Sequence, residues 1–139
     1  MAGVEVTTKH WPLLLVKFDG EQTMQDVDYF IREMGAAHAR KSPYASISLM
    51  RKYSSERSHV QKVAQWMKAT ADETKRWCVG NSIVSESLGF RFLLSSIFLV
   101  KPMPCPYNVC SSWDEALTWL QGVAGKTGLT VPSVPNPWA

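Results

Sequence analysis

The chain has 139 residues, of which 45% are hydrophobic and 19% charged, the balance of a single globular domain and not of a disordered chain. Fifteen Lys and Arg against twelve Asp and Glu leave a formal charge of +3, too small a basic excess for a nucleic-acid-binding surface. A domain of this length buries roughly 68–70% of its unfolded surface, enough for one self-sufficient core.

The start, Met1-Ala2-Gly3-Val4-Glu5-Val6, lacks the basic residues and long apolar run of a signal peptide. Val4 to Thr8 alternates weakly and predicts a short edge strand, broken by His10-Trp11-Pro12. Leu13 to Phe18 is a short, almost continuous apolar run ended by Asp19-Gly20, the pattern of a central strand followed by a turn. Thr23 with Asp26 resembles a capping box, and Met24, Val27, Phe30, Ile31 and Met34 follow at helical spacing. Pro43 closes that helix. Tyr44 to Met50 predicts a strand with Ala45, Ile47 and Leu49 on one face and Ser46 and Ser48 on the other.

Ser58 with Gln61 forms the next capping box, opening a helix striped by Val60, Val63, Ala64, Met67 and Ala71 that ends near Trp77. Val79 to Ser85 is a strand in which Gly80 admits close backbone approach. Leu88 to Val100 is a helix, and Pro102, Pro104 and Pro106 stop it. Tyr107 to Cys110 is a short strand. Ser112 with Glu115 caps a last helix carrying Trp113, Ala116, Leu117 and Leu120, weakened at its end by Gly122 and Gly125. The expected division is a domain over residues 1–124 and a proline-rich irregular tail over 125–139. The tail's Leu129, Val131, Val134 and Trp138 are suited to docking on a surface.

The order β-β-α-β-α-β-α-β-α predicts an α/β domain with a mostly parallel sheet of four to five strands and about four helices. Its first strand is expected at an edge, antiparallel to its neighbour.

No catalytic, cofactor or metal site emerges from the motifs. His10, His38 and His59 have no metal-ligand spacing and no cysteine close by. Gly122, Gly125, Lys126 and Thr127 lack the first glycine of a phosphate-binding loop and follow a helix. Asp26 and Asp28 point to different sides of their helix, and no nucleophile elbow is present. Three cysteines without a secretion signal read as reduced thiols, and the expected location is the cytoplasm. Cys105 and Cys110 are five apart, Cys78 is distant in sequence, and all three read as small apolar residues. Residues 51–76 carry seven basic and three acidic residues, the mark of a solvated face or of an acidic partner or anionic membrane.

The Leu88–Val100 segment is the most informative. A helix on a sheet needs one apolar stripe, but this one is apolar over most of its circumference. The segment also holds Arg91, Ser95 and Ser96 and falls short of the about 20 residues of a membrane span. The surplus must be covered by the tail, a second subunit, a protein partner, or a lipid or membrane surface. The expected contact residues are Phe90, Phe92, Leu94, Ile97 and Phe98.

The element order resembles the STAS domain, the fold of bacterial anti-sigma-factor antagonists. It resembles more strongly a set of small bacterial proteins with a STAS-like (SpoIIAA-like) or SEC14-like fold. The similar stretches are Trp11 to Gly20, Ser58 to Trp66, and Leu88 to Leu120 with its Ser112-Trp113-Asp114-Glu115-Ala116-Leu117-Thr118-Trp119. The resemblance implies a non-catalytic interaction, scaffold or regulatory module that associates with itself or with a protein partner. Its SEC14-like side implies a small apolar ligand or lipid instead. In the regulatory STAS proteins a partner kinase phosphorylates a serine just after the third strand. The resemblance carries that role to Ser54, Ser55 and Ser58, although the Asp-Ser-Ser-Gly signature is absent and basic residues flank them. Ser58 is otherwise a helix cap.

Overall fold

The computed structural model describes residues 3–138. Five strands form one sheet: β1 (Val4–His10), β2 (Leu13–Gln22), β3 (Tyr44–Ser55), β4 (Cys78–Val84) and β5 (Tyr107–Cys110), side by side in chain order. β1 is an edge strand antiparallel to β2, and the three other pairings are parallel. The helices are α1 (Met24–Ala39), α2 (Arg57–Ala69), α3 (Ala71–Trp77), α4 (Leu88–Val100) and α5 (Trp113–Gly125).

This topology dictates which face each helix covers. Right-handed crossovers that all advance in one direction lay their helices on the same side of the sheet. A run of ring contacts crosses that side: Trp11 to Tyr44, then His38, Trp66, Phe30, Phe18, Tyr53 and finally Phe90 of α4. Beneath these rings lie Val4, Val6, Leu14, Val16, Ala37, Tyr44, Cys78 and Cys105. The opposite side is left to α5 alone, and one helix is too narrow for five strands. The chain after α5 completes the cover. Leu129, Val131, Val134 and Trp138 pack with Trp113, Ala116, Leu120 and Ala124 over Leu13, Leu15, Ala45, Ile47 and Leu49. Trp113 ties the two together by donating its indole N–H to the Val134 carbonyl at 2.8 Å. The tail therefore lies on the side away from α4 and does not cover that helix.

Local chemistry explains the ends. Thr23 Oγ1 accepts from the Asp26 N–H at 3.1 Å, while the Asp26 carboxylate accepts from the Thr23 N–H at 2.9 Å and the Gly3 N–H at 3.0 Å. One buried carboxylate thus starts α1 and holds the beginning of β1. Ser112 Oγ accepts from the Glu115 N–H and starts α5. The Glu115 carboxylate does not return the bond to the backbone. It accepts from the Ser111 and Ser112 hydroxyls.

Three expectations need correction. β2 and β3 run well past Phe18 and Met50, because a bulge replaces the expected turn. The register passes from Asp19–Arg51 to Glu21–Ser54, with Gly20 at φ 76° and Lys52 at φ 50°. The bulge turns Tyr53 onto the α1 side, where it meets Phe18 and Phe90. Second, the helix over 57–77 is two helices and the total is five. The Thr70 hydroxyl donates to the Trp66 carbonyl and the axis breaks there. Its inward stripe holds Val63, Trp66 and Thr70, while Val60, Ala64 and Met67 face solvent. Third, Ser58 is not a cap. Glu56 occupies the cap position without a side-chain bond, and Ser58 lies in the first turn.

Candidate functional site

α4 stands apart from the other helices in how little of it is covered. None of its residues is buried. Phe90, Leu94 and Phe98, spaced by four, form the stripe turned toward the protein and are half-buried. Phe90 meets the Tyr53 ring at 5.9 Å, and Phe98 packs edge-on against Tyr107 of β5 at 4.9 Å. The rest of the circumference is open. Leu88, Phe92, Leu93, Ile97, Leu99 and Val100 are all exposed, Phe92 at 75%, Leu99 at 84% and Val100 at 88%. Of the five expected contact residues, Phe92 and Ile97 thus face outward, while Phe90, Leu94 and Phe98 seat the helix. Leu88, Leu93, Leu99 and Val100 join the outer surface, and sequence reasoning missed them. Only the helical phase fixed by the Tyr53 and Tyr107 contacts separates the two sets.

The exposed perimeter is also almost free of charge. Arg91 is spent internally, donating to the Ser85 carbonyl at 2.6 Å. Ser96 turns its hydroxyl back to the Phe92 carbonyl. The helix starts on Ser87, whose Oγ accepts from the Phe90 N–H. Beside that start lies a cavity of about 360 Å³ at the carboxyl ends of β3 and β4, lined by Met50, Lys52, Tyr53, Ser85, Phe90 and Leu93 among others. Tyr53 lines this space, and burial pushes its phenol above the ordinary pKa.

Ser54, Ser55 and Ser58 sit at the same end of the sheet. Ser54 and Ser55 end β3, paired with Glu21 and Gln22, and Ser58 is an exposed first-turn residue of α2. No group of three or more His, Cys, Asp or Glu suited to a metal occurs among the described residues. No helix among them is long and apolar enough to cross a membrane. Sequence distance hid one pairing. Cys78 and Cys105 share the core under α1, and the neighbouring Cys78 thiol together with burial holds the Cys105 thiol above its ordinary pKa.

His38 lies in that core too, bonded through Nε2 to the Tyr44 hydroxyl at 3.0 Å and stacked on Trp66. Burial lowers its pKa below the ordinary 6.5, against a weak opposing pull from Glu73. The unfolded chain therefore binds a proton here before the folded chain does, and stability falls as pH drops through 6.5. Thermal melts between pH 7.5 and 5.5 are expected to show a falling midpoint, with a smaller fall in His38→Gln. Equal slopes in the two proteins would remove His38 as the cause.

No family model and no curated protein matches the sequence. A solved structure does resemble the fold: that of an uncharacterized protein from the DUF3478 family with a SpoIIAA-like fold, from Shewanella loihica PV-4. The two share 13% identity over 86% of this chain and 95% of that one, with a TM-score of 0.66. The chain therefore has a SpoIIAA-like, STAS-like α/β fold.

Proposed function

We propose that the chain is a non-catalytic STAS-like interaction module whose contact surface is the outer side of α4. The observation that carries this reading is a surface helix with six exposed large apolar residues and no charged group free on that side. Each such side chain gains about 1.5–3 kcal/mol when fully buried, and contiguous apolar patches of this kind mark interaction sites. The lack of charge favours a lasting protein contact. Cores of permanent interfaces are apolar and depleted in charge, whereas helices that lie on membranes carry a Lys- and Arg-rich polar face.

The test is the double variant Phe92→Ser, Leu99→Ser, which leaves Phe90, Leu94 and Phe98 seated. In size fractionation of native-host extract, the wild-type chain is expected well above its 15.6 kDa mass and the variant at that mass. Identical elution of the two at 15.6 kDa would end the reading.

The cavity beside α4 supports a second reading, a carrier of a small apolar ligand with an acidic end. Met50, Phe90 and Leu93 supply the apolar walls and Lys52 the charge. Native mass spectrometry of gently purified protein distinguishes it, through an added mass that disappears on denaturation.

A further inference from the structure

The two edges of the sheet are treated differently. On β1, Glu5 and Lys9 are exposed, and the register is irregular between Thr7 and His10. The Tyr29 hydroxyl of α1 accepts from the Val6 N–H at 3.1 Å and donates to the Val6 carbonyl at 3.4 Å, filling the edge at its middle. Charges, irregularity and a plug are three of the devices that stop a sheet from growing. β5 has none of these three, and its protection is limited to its shortness and the Pro106 that precedes it. Its residues are Tyr107, Asn108, Val109 and Cys110, without a charge or a bulge.

The backbone of β5 has a definite inward and outward set. The Asn81 N–H donates to the Pro106 carbonyl and the Ser85 N–H to the Cys110 carbonyl, so residues 106, 108 and 110 face β4. By alternation in a parallel ladder, the N–H and C=O of Tyr107 and Val109 point away from the sheet. Among the described residues nothing bonds to them. This open edge lies directly beside α4, since Phe98 packs on Tyr107.

We infer that β5 pairs antiparallel with β5 of a second copy of this chain, making one ten-stranded sheet across a two-fold axis at Asn108. This rests on the reading of α4 as a contact surface and names its occupant. With Asn108 opposite Asn108, Tyr107 faces Val109 of the second copy, and all four outward donors and acceptors on each side find partners. A two-fold axis normal to the sheet keeps both α4 helices on the same face, so their uncovered sides meet. No like charges are brought together there, because Arg91 is turned inward. Leu88, Phe92 and Leu99 form the stripe of α4 away from the Leu93 cavity, and their exposed surface is roughly half of the about 800 Å² each partner contributes to a standard interface, the paired β5 edges adding to it. The edge is therefore self-complementary in hydrogen bonding and its α4 flank in polarity, while on the other face Asp114 and Glu115 of each copy flank Asn108.

Val109→Pro tests the edge while leaving the β5 hydrogen bonds to β4 in place. The N–H it removes points outward, and proline is tolerated on an edge strand in that position. Purified recombinant wild type is expected at twice 15.6 kDa by light scattering at tens of micromolar, and Val109→Pro at 15.6 kDa with unchanged far-UV circular dichroism. A folded Val109→Pro protein that keeps the double mass would overturn the pairing, and so would a wild type that stays at 15.6 kDa. In either case an α4-dependent complex in host extract would leave the contact-surface reading standing. Asn108→Cys decides the matter if the proline variant unfolds. It is expected to form a covalent dimer on mild oxidation by a small disulfide, while Glu5→Cys on β1 is not. No dimer from Asn108→Cys counts against the pairing.

Discussion

Trp113→Ala is expected to lose about 3–5 kcal/mol of stability, the range for removing a buried tryptophan. The residue is only 4% exposed and sits where α5, the sheet and the tail meet. Its removal leaves a cavity under the first turn of α5 and deprives the Val134 carbonyl of its donor. The tail has no secondary structure of its own, so this bond and the burial of Val131 do much to fix its path. Urea titration should show the loss as a lower midpoint, and thermal melting as a drop of about 10 °C or more. Trp113→Phe retains most of the ring volume and loses the N–H, so it should cost about a third as much. If the two variants were equally destabilised, the hydrogen bond and not the packing would dominate this junction.

The order of the elements was legible because each carries its own local signal. Alternation, a capping box and three closely spaced prolines defined β3, α1 and the stop after α4 without tertiary help. Val4–Thr8 announced an edge strand by its weak pattern, and β1 is one. What stayed hidden depends on partners. The continuation of β2 and β3 past Asp19 and Met50 is a cooperative property of two paired strands, and neither Glu21 nor Ser54 signals it alone. The stripe read as Val60, Val63, Ala64, Met67 and Ala71 was partly misphased, since Val63 lies inward but Val60, Ala64 and Met67 are exposed. Trp66 wins the inward position because Phe30 and His38 offer it a ring-lined seat. The candidate site was half legible. Surplus apolarity over 88–100 was plain in the sequence. Which residues form the surplus depends on where Tyr53 and Tyr107 lie, and the Tyr53 position follows from a bulge.

The one-sided placement of the crossovers links these observations. Helices α1 to α4 share a side, and the rings from Trp11 to Phe90 run across it without interruption. α4 is the last in that row and rests mainly on β5, so its outer flank is open. The apolar residues of its open flank therefore have nothing to pack on within the chain. The tail is engaged on the opposite side and cannot reach around. The uncovered flank and the unpaired edge of β5 are thus two consequences of ending the sheet at the fifth strand.

The packing of α5 on β4 offers a sharper test of the fold than any single truncation. Gly80 is buried, and a Cβ there would lie 3.1 Å from Leu120 Cδ1, 3.4 Å from Val123 Cγ1 and 3.5 Å from Trp119 Cζ3. Alanine asks only that the end of the Leu120 side chain shift by a few tenths of an ångström, a small cost. Gly80→Val adds two further carbons against Leu120 and Val123, and overpacking of this kind costs about 1–3 kcal/mol. Leu120→Ala, at a fully buried position, should cost about 2–5 kcal/mol through the cavity it leaves. The two changes occupy and vacate adjoining space. The double variant should therefore be more stable than the sum of the single losses implies, by about 0.5–3 kcal/mol, the range for residues in contact. Strict additivity in urea unfolding would mean that α5 does not seat Leu120 over Gly80, and with it the close approach that lets one helix and a tail cover this side of the sheet would fail.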